Sequence, residues 1–408
     1  MTGVVFPKKT IRDIDVSHKT VLLRTDYSVP MRGTRITDDF RIKASLPTIK
    51  YLLEHDAKIV IISHLGRPEN NKDFRFSLEP VAERLEKLLG RPVKFIDDCV
   101  SDKVKIATSK MSLGDILLLE NLRFHPQEEK NDSNFAKRLA KNTGAKIFIQ
   151  DGFGAVHREH ASTSEITNYL PSVAGLLVEK EYLAVTNVIE DPNRPLVAII
   201  GGAKIKDKMP VIEKFIDIAD QVIIGGAIAN NFLMNRSFPI GASLWEPDMD
   251  GVVSDIMENA TIKFDKDLDK HFILPIDVAV SKNGNVNGAR TVVTRKKVSP
   301  NNSILDMGTK SINRTVETIK NAGTVVWNGT VGLAEKAEFA VGSEKIAKTL
   351  ADNPQIFSLI GGGDTVDFAR NWDELDGGSF SYVSTGGGAS LELMSGKPSP
   401  GIENLLDK

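Results

Sequence analysis

The chain is 408 residues long, enough for two to three domains. Its 52 Lys and Arg nearly balance 54 Asp and Glu, leaving a formal charge of −2, whereas a protein that grips nucleic acid through its phosphates is ordinarily basic. Hydrophobic residues at 41% and charged residues at 26% exclude a disordered chain, and a sole cysteine, Cys99, excludes an intrachain disulfide and fits a reducing cytoplasm.

The opening segment MTGVVFPKKTIRDID lacks the apolar run of a signal peptide, and no stretch of about 18 apolar residues follows. A cytoplasmic protein with neither membrane nor nucleic-acid partner is therefore expected. In chain order, TVLLR (20–24), KIVIIS (58–63), DILLLE (115–120) and KIFIQD (146–151) read as strands of the first half. LVAII (196–200), QVIIG (221–225), FILPID (272–277), TVVWN (324–328), FSLIG (357–361) and YVST (382–385) read as strands of the second. Segments of helical period lie between them: 41–55, 79–90, 133–144 and 208–220. This alternation predicts an α/β fold of βα units. So many strands exceed one comfortable open sheet, which predicts two doubly wound parallel-sheet, Rossmann-like domains. A long helix over 173–190, broken by DPNRP (191–195), is expected to join them.

Ligands of open parallel sheets bind beyond the carboxyl ends of the strands, so the residues there form an inventory of candidate site groups. The first half offers cations: Arg24 and Asp26 in RTDYSVP (24–30), Arg41 in TDDFRI (37–42), His64 and Arg67 in SHLGRP (63–68), Arg123 in ENLRFHP (120–126), and Asp151, His157 and Arg158 in DGFGAVHREHAST (151–163). One such arginine is more readily a surface ion pair. Several guanidinium forks at strand ends of a near-neutral chain predict a site for a small polyanion.

The second half offers glycine: GGAKIKDK (201–208), GGA (225–227), NGTVGLAE (328–335), GGGDT (361–365) and STGGGAS (384–390). GGAKIKDK is expected to open a helix, its glycine amides and helix N-terminus facing an anion, with Lys204 and Lys208 on one helix face toward a polyphosphate. A single such turn can use glycine for geometry alone, but their repetition points to phosphate. Asp364 in such a turn is a natural Mg²⁺ partner. Neither a P-loop nor a G-x-G-x-x-G fingerprint is present; G-F-G at 152–154 lacks the third glycine. His157 and His160 have no further Cys or His at ligand spacing, which disfavours zinc, and Ser162 and Ser164 sit in no nucleophile elbow.

Taken together, DDFRI…LPTIKYLLEH, SHLGRP, LLLENLRFHPQEEKND, GGAKIKDK, STGGGASLEL and PGIENL resemble the signatures of the phosphoglycerate kinases, from about Thr10 to Leu406. The short tail and some substitutions look closer to archaeal-type members. The resemblance implies a phosphotransferase with a carboxyl acceptor, moving a phosphoryl group reversibly between 1,3-bisphosphoglycerate and ADP to give 3-phosphoglycerate and ATP in glycolysis and gluconeogenesis. It implies Mg²⁺ carried with the nucleotide, no organic cofactor, and a monomer, with a dimer as the alternative. Carried over by motif, the glycerate side would use Asp26, Tyr27, Ser28, Arg41, His64, Leu65, Gly66, Arg67, Arg123 and Arg158. The nucleotide side would use Gly202, Lys204, Lys208, Gly226, Asn328, Glu335, Gly362, Gly363, Asp364 and Thr365, with Asp364 serving the metal. Arg41, Lys204, Lys208 and the amides of Gly386, Gly387 and Gly388 would neutralise the passing phosphoryl group.

The family pattern also implies that the C-terminal segment returns to the first domain. The expected boundaries are then 1–175 with about 393–408, a helix over 176–192, and 193–392. A cleft between the domains would close by hinge bending, with 173–195 and 384–396 as candidate hinges. Ser28 stands where the family usually has Asn, Thr309 and Thr330 where it has Pro, and Ala334 where it has Phe. The last three are expected to reshape the adenosine pocket. The rivals are another acyl-phosphate kinase and a non-catalytic nucleotide binder.

Overall fold

A computed structural model describes residues 3–69 and 73–408. The chain divides into two compact units, the first formed by Val5–Leu183 with Pro398–Lys408 and the second built on Ala184–Lys397.

In the first unit the chain runs through β1 (Thr20–Arg24), the short hairpin β2 (Met31–Arg32) and β3 (Arg35–Ile36), α1 (Phe40–Glu54), β4 (Lys58–Ile62), α2 (Glu79–Leu89), β5 (Lys94–Ile96), α3 (Asp102–Ser109), β6 (Ile116–Leu119), α4 (Ser133–Thr143), β7 (Ile147–Gln150) and β8 (Ser172–Ala174). Six strands form one parallel sheet in the order β5-β6-β4-β1-β7-β8. Its strands are continuous aliphatic runs because helices cover both faces. Val21, Leu23, Ile59 and Ile61 point into one buried cluster, while Leu22, Val60, Ile62 and Phe148 point into the other. The last eleven-odd residues return here through α14 (Pro400–Glu403): Gly401 N–H donates to Val156 O at 2.8 Å, and Leu406 N–H to Ser172 O at 2.9 Å.

Helix α5 (Leu176–Glu190) is shorter than the predicted 173–190 segment, because Ser172–Ala174 pair with β7 as an edge strand. Apolar β-branched residues there satisfied the helical period and the strand equally, and sheet pairing decided the matter.

The second unit has a parallel sheet in the order β11-β10-β9-β15-β16-β17, from β9 (Leu196–Ile200), β10 (Gln221–Ile224), β11 (Phe272–Ile273), β15 (Thr324–Asn328), β16 (Phe357–Gly361) and β17 (Tyr382–Val383). Its helices include α6 (Met209–Ile218), α7 (Ile228–Asn235), α8 (Asp250–Phe264), α9 (Leu268–His271), α10 (Thr309–Lys320), α11 (Val341–Ala351), α12 (Gly363–Trp372) and α13 (Gly388–Met394). The predicted strand 272–277 is divided: its start is β11, and Asp277 opens β12 (Asp277–Lys282) of a separate antiparallel sheet with β13 (Thr291–Thr294) and β14 (Asn302–Met307). Pro275 cannot donate a ladder hydrogen bond, so the run breaks there. This small sheet, absent from the predicted strand set, becomes one wall of a pocket.

Among the described residues, no helix is long and apolar enough to cross a membrane.

Candidate functional site

In the first unit the polar groups gather at the carboxyl ends of four neighbouring strands, β6, β4, β1 and β7. The turn after β1 carries Asp26, 8% exposed, which accepts a hydrogen bond from Ser28 N–H at 3.0 Å and from Arg41 Nη1 at 2.8 Å. Arg41 is the second residue of α1, so the helix fixes its backbone while its guanidinium stays partly solvent-accessible. Burial opposes the charge on Asp26, but the Arg41 guanidinium and the Ser28 amide outweigh it and hold the carboxyl well below its usual range.

His64 faces Asp26 Oδ1 through Nε2 at 3.6 Å, and its Nδ1 lies 3.2 Å from Arg24 Nη2. A guanidinium can only donate, so Nδ1 accepts and Nε2 carries the ring proton. Burial drives its pKa well down; Asp26 opposes this, and Arg24, Arg123 and Arg41 reinforce it. His157 falls to about 4 and His160 to about 3, through burial and then neighbouring arginines. All three imidazoles are neutral near pH 7, so the positive charge here is guanidinium alone.

Arg123 donates to Gly66 O at 2.7 Å and is drawn down to about 10 by burial; Arg158 donates to His157 Nε2 at 3.0 Å and is half-buried, and Arg67 is exposed. Ser28 Oγ accepts Gly66 N–H at 3.2 Å, tying the turn after β1 to the one after β4.

Some expected contributors are placed elsewhere. Arg24 is fully buried, hydrogen-bonded to Ser162 Oγ at 2.7 Å and 3.9 Å from the buried Glu128, so it is a structural cation. Tyr27 has its ring in the core, its hydroxyl against Ser45 Oγ at 2.9 Å, and its N–H donated to Ser63 Oγ. Leu65 is also core, and its N–H and C=O are both taken by the Asn121 side chain. These residues alternate with the polar ones along their turns, which is why they appear in the same motifs. Asn121 itself was missed. It is wholly buried and also accepts Arg123 N–H at 3.0 Å, so it clamps the turn carrying Arg123 to the one carrying Gly66. An asparagine directly after a strand, capping a short helix, was the available signal.

In the second unit the turns after β9, β10 and β15 touch one another. Gly202 N–H donates to Thr330 O at 2.8 Å and Gly226 N–H to Val331 O at 3.0 Å. Gly226 has φ +62°, and a Cβ there would lie 2.6 Å from Gly202 N and 2.8 Å from Thr330 O. These glycines therefore allow three turns to approach, and their amides are occupied within the protein rather than offered to an anion. Gly386 N–H is likewise donated to Ser384 Oγ at 3.0 Å. The amides that a helix leaves without internal partners are at the starts of α12 (Gly363, Asp364, after the cap Gly362) and α13 (Gly388, after the cap Gly387).

The shared helix face predicted for Lys204 and Lys208 does not form. Lys204 lies in an exposed loop, while Lys208 is the N-cap of α6, because Pro210 fixes the helix start. Lys208 Nζ contacts Asn328 Oδ1, and burial pulls its pKa down to about 8 against the pull of Asp364 and Asp207. Thr365 Oγ1 accepts Gly329 N–H at 2.6 Å from a buried position.

Beside these turns opens a pocket. Leu233 and Leu244, Val278, Ile304 and Met307 from the small antiparallel sheet, and Val331 and Leu333 form apolar walls; Gly202, Gly226, Glu335 and Asp364 line it too. Asp306, which also lines it, accepts Met307 N–H and Gly342 N–H and is raised to about 7 by burial. Such walls carry no motif, so the sequence reading found the rim and missed the pocket. An apolar slot with a few polar groups suits a planar heteroaromatic ring. The exposed Asp364, in the first turn of α12 and lining the slot with Gly202, fits a Mg²⁺ ion, which takes one or two carboxylates plus phosphate oxygens.

Comparison with known proteins gives the family of the chain. The family model described as phosphoglycerate kinase matches residues 11–397. A phosphoglycerate kinase of Pelotomaculum thermopropionicum is 43% identical over 401 residues, 98% of this chain and all of that one. One of Akkermansia muciniphila is 44% identical over 98% of both chains. Solved structures of phosphoglycerate kinases from Coxiella burnetii (TM-score 0.84, 35% identity, 98% of both chains) and Pyrococcus horikoshii OT3 (TM-score 0.83, 29% identity, 97% of this chain and 98% of that one) share the fold. An archaeal-type affinity gains no support from these identities. The chain belongs to the phosphoglycerate kinase family.

Proposed function

We propose that this chain carries out the family's reaction, moving a phosphoryl group between 1,3-bisphosphoglycerate and ADP to give 3-phosphoglycerate and ATP, with the glycerate bound by the first unit and the nucleotide by the second. The observation that carries the reading is the first-unit cluster: Arg41 at the start of α1 paired with Asp26, and Arg123 and Arg158 in the segments after β6 and β7, beside neutral histidines, with the exposed Arg67 in the turn after β4.

The acceptor carboxylate of 3-phosphoglycerate is ionised at neutral pH, so the reaction needs no general base. A site of permanent cations and uncharged imidazoles suits that demand. The guanidiniums bind the phosphate and carboxylate ends of the substrate, and Asp26 holds Arg41 in place. Ser28 retains a hydroxyl hydrogen to donate. Tyr27, Leu65 and Gly66 serve by shaping the turns.

On the second unit the apolar slot takes the base, Glu335 the ribose, and Lys208, Lys204 and the α12 amides of Gly363 and Asp364 the phosphates. Asn328 positions Lys208, and Thr365 and Gly362 fix the start of α12. The exposed amide of Gly388, after Gly387, is a further donor for charge on the transferring group. When bound, Mg²⁺ would be held by Asp364 and would neutralise polyphosphate charge. Direct transfer requires the two bound anions to meet in line, with charge on the equatorial oxygens stabilised as it spreads. A cytoplasmic setting belongs to the same reading.

The test is a coupled assay for ATP formation from 1,3-bisphosphoglycerate and ADP with the purified chain. ATP formed with a chiral phosphate of inverted configuration is expected; retention, or a phosphorylated protein, overturns direct transfer, and no ATP overturns the activity.

A further inference from the structure

A second cluster of ligating groups lies outside both of these sites. Asp98 and Cys99 follow β5, and His125 follows the short 3₁₀ turn Leu122–Phe124. Their donor atoms all lie within 4.8 Å of one another, and His125 Nε2 is 3.2 Å from Asp98 Oδ1. We propose that Asp98, Cys99 and His125 form a binding site for a borderline-soft divalent cation such as zinc or cobalt, through one carboxylate, one thiolate and one imidazole.

The distances suit the assignment. Tetrahedral zinc with bonds of about 2.0–2.3 Å sets its ligand atoms about 3.3–3.8 Å apart. The imidazole–carboxylate pair is already close to that separation, and the thiol, within 4.8 Å of both, needs to move by about 1.3 Å at most to join it. The surroundings pin the ligands: Asp98 Oδ1 accepts the N–H groups of Cys99 at 2.6 Å and Val100 at 3.2 Å, and the His125 ring packs on Phe135 with centroids 5.3 Å apart.

On binding, the S–H bond of Cys99 breaks, its proton leaves to solvent, and a sulfur–metal bond forms without redox change. Thiolate and imidazole donors select against Mg²⁺, so this site is separate from the nucleotide's metal.

The test is titration of the full chain with Co²⁺ in the absence of nucleotide, following the thiolate-to-cobalt charge-transfer absorption. Cys99 is the sole cysteine, so that band can come from no other residue. One equivalent of cobalt giving the band, displaced by zinc, is expected. His125→Ala, at a side chain 31% exposed and so compatible with folding, should weaken binding on the order of ten-fold or more, and Cys99→Ser should remove the band. Cobalt bound without a charge-transfer band, affinity unchanged in His125→Ala, or no binding at all would each overturn the site.

Discussion

Arg41 Nη1 and Asp26 Oδ2 meet at 2.8 Å, joining the start of α1 to the turn that ends β1. The pair is asymmetric in consequence. Asp26 is nearly buried and committed to its partners, while Arg41 uses one nitrogen on Asp26 and keeps its other donors. On the proposed reading Asp26 positions Arg41, and Arg41 is the group that would touch substrate. Arg41→Ala should lower turnover by on the order of 10²–10³ with a smaller effect on KM for 3-phosphoglycerate. Asp26→Asn should cost less, since the guanidinium remains but is less firmly held. Steady-state kcat and KM for both variants check this, and a pure KM effect in Arg41→Ala would remove it from the transition state.

Lys208 gives a prediction with a definite sign. Its pKa in the folded chain is near 8, below the ordinary lysine value, because burial disfavours the ammonium. Between about pH 8 and the unfolded value the unfolded chain holds the extra proton, so stability rises with pH across that window. Below it, the buried charge is a constant cost. Lys208→Met should thus raise stability at pH 7, by on the order of 1–3 kcal/mol, while depressing turnover. In the parent protein, affinity for free ADP should fall as pH passes 8 and the ammonium discharges. Urea unfolding and calorimetric ADP titration read the two effects, and a less stable Lys208→Met chain would contradict the account.

Two glycines in the second unit should respond oppositely to alanine. Gly226 sits at positive φ with only backbone atoms in the way of a new Cβ, and backbone atoms of three packed turns cannot move aside cheaply. Gly363, in the first turn of α12, has open space there. Gly226→Ala should be destabilised by several kcal/mol, or accumulate poorly, whereas Gly363→Ala should lie within about 1 kcal/mol of the parent. Denaturation midpoints for the pair decide it.

The sheet strands were legible because parallel strands covered on both faces read as unbroken aliphatic runs, and LVAII, TVVWN and FSLIG coincide with β9, β15 and β16. The edge strands β5 and β8 and the antiparallel β12–β14 were not, since short or half-exposed strands mix polar residues into the run. The first-unit site was legible through charge: arginines after strand ends advertise themselves. Arg24 shows the limit, because nothing in RTDYSVP reveals that its guanidinium turns inward to Glu128, a partner more than a hundred residues away. On the nucleotide side, glycine spacing located the turns but could not show that the amides of Gly202 and Gly226 are taken within the protein. Only the contacts of Gly202 and Gly226 with Thr330 and Val331 show where those hydrogen bonds go.

Asp151 offers a test of burial that is independent of catalysis. It follows β7, is completely buried, and accepts Leu177 N–H at 2.9 Å through Oδ1 at the start of α5. Burial raises its carboxyl to about 7, against the Thr48 hydroxyl and the Leu177 and Val178 amides. A folded-state value above the unfolded one means that the native chain holds the extra proton between about pH 4 and 7, so stability falls as pH rises through that window and is lost in full above it. Asparagine keeps one accepting oxygen and does not ionise, though its N–H groups replace an oxygen among groups that donate to the carboxyl. Asp151→Asn should therefore be no more stable than the parent at pH 4 and more stable by on the order of 1–3 kcal/mol at pH 8. Urea midpoints for the first unfolding transition at pH 4, 6 and 8 give the comparison. A difference that stays constant with pH would mean that Asp151 is ionised in the native chain throughout, and that a buried carboxylate here is stabilised by its amides alone.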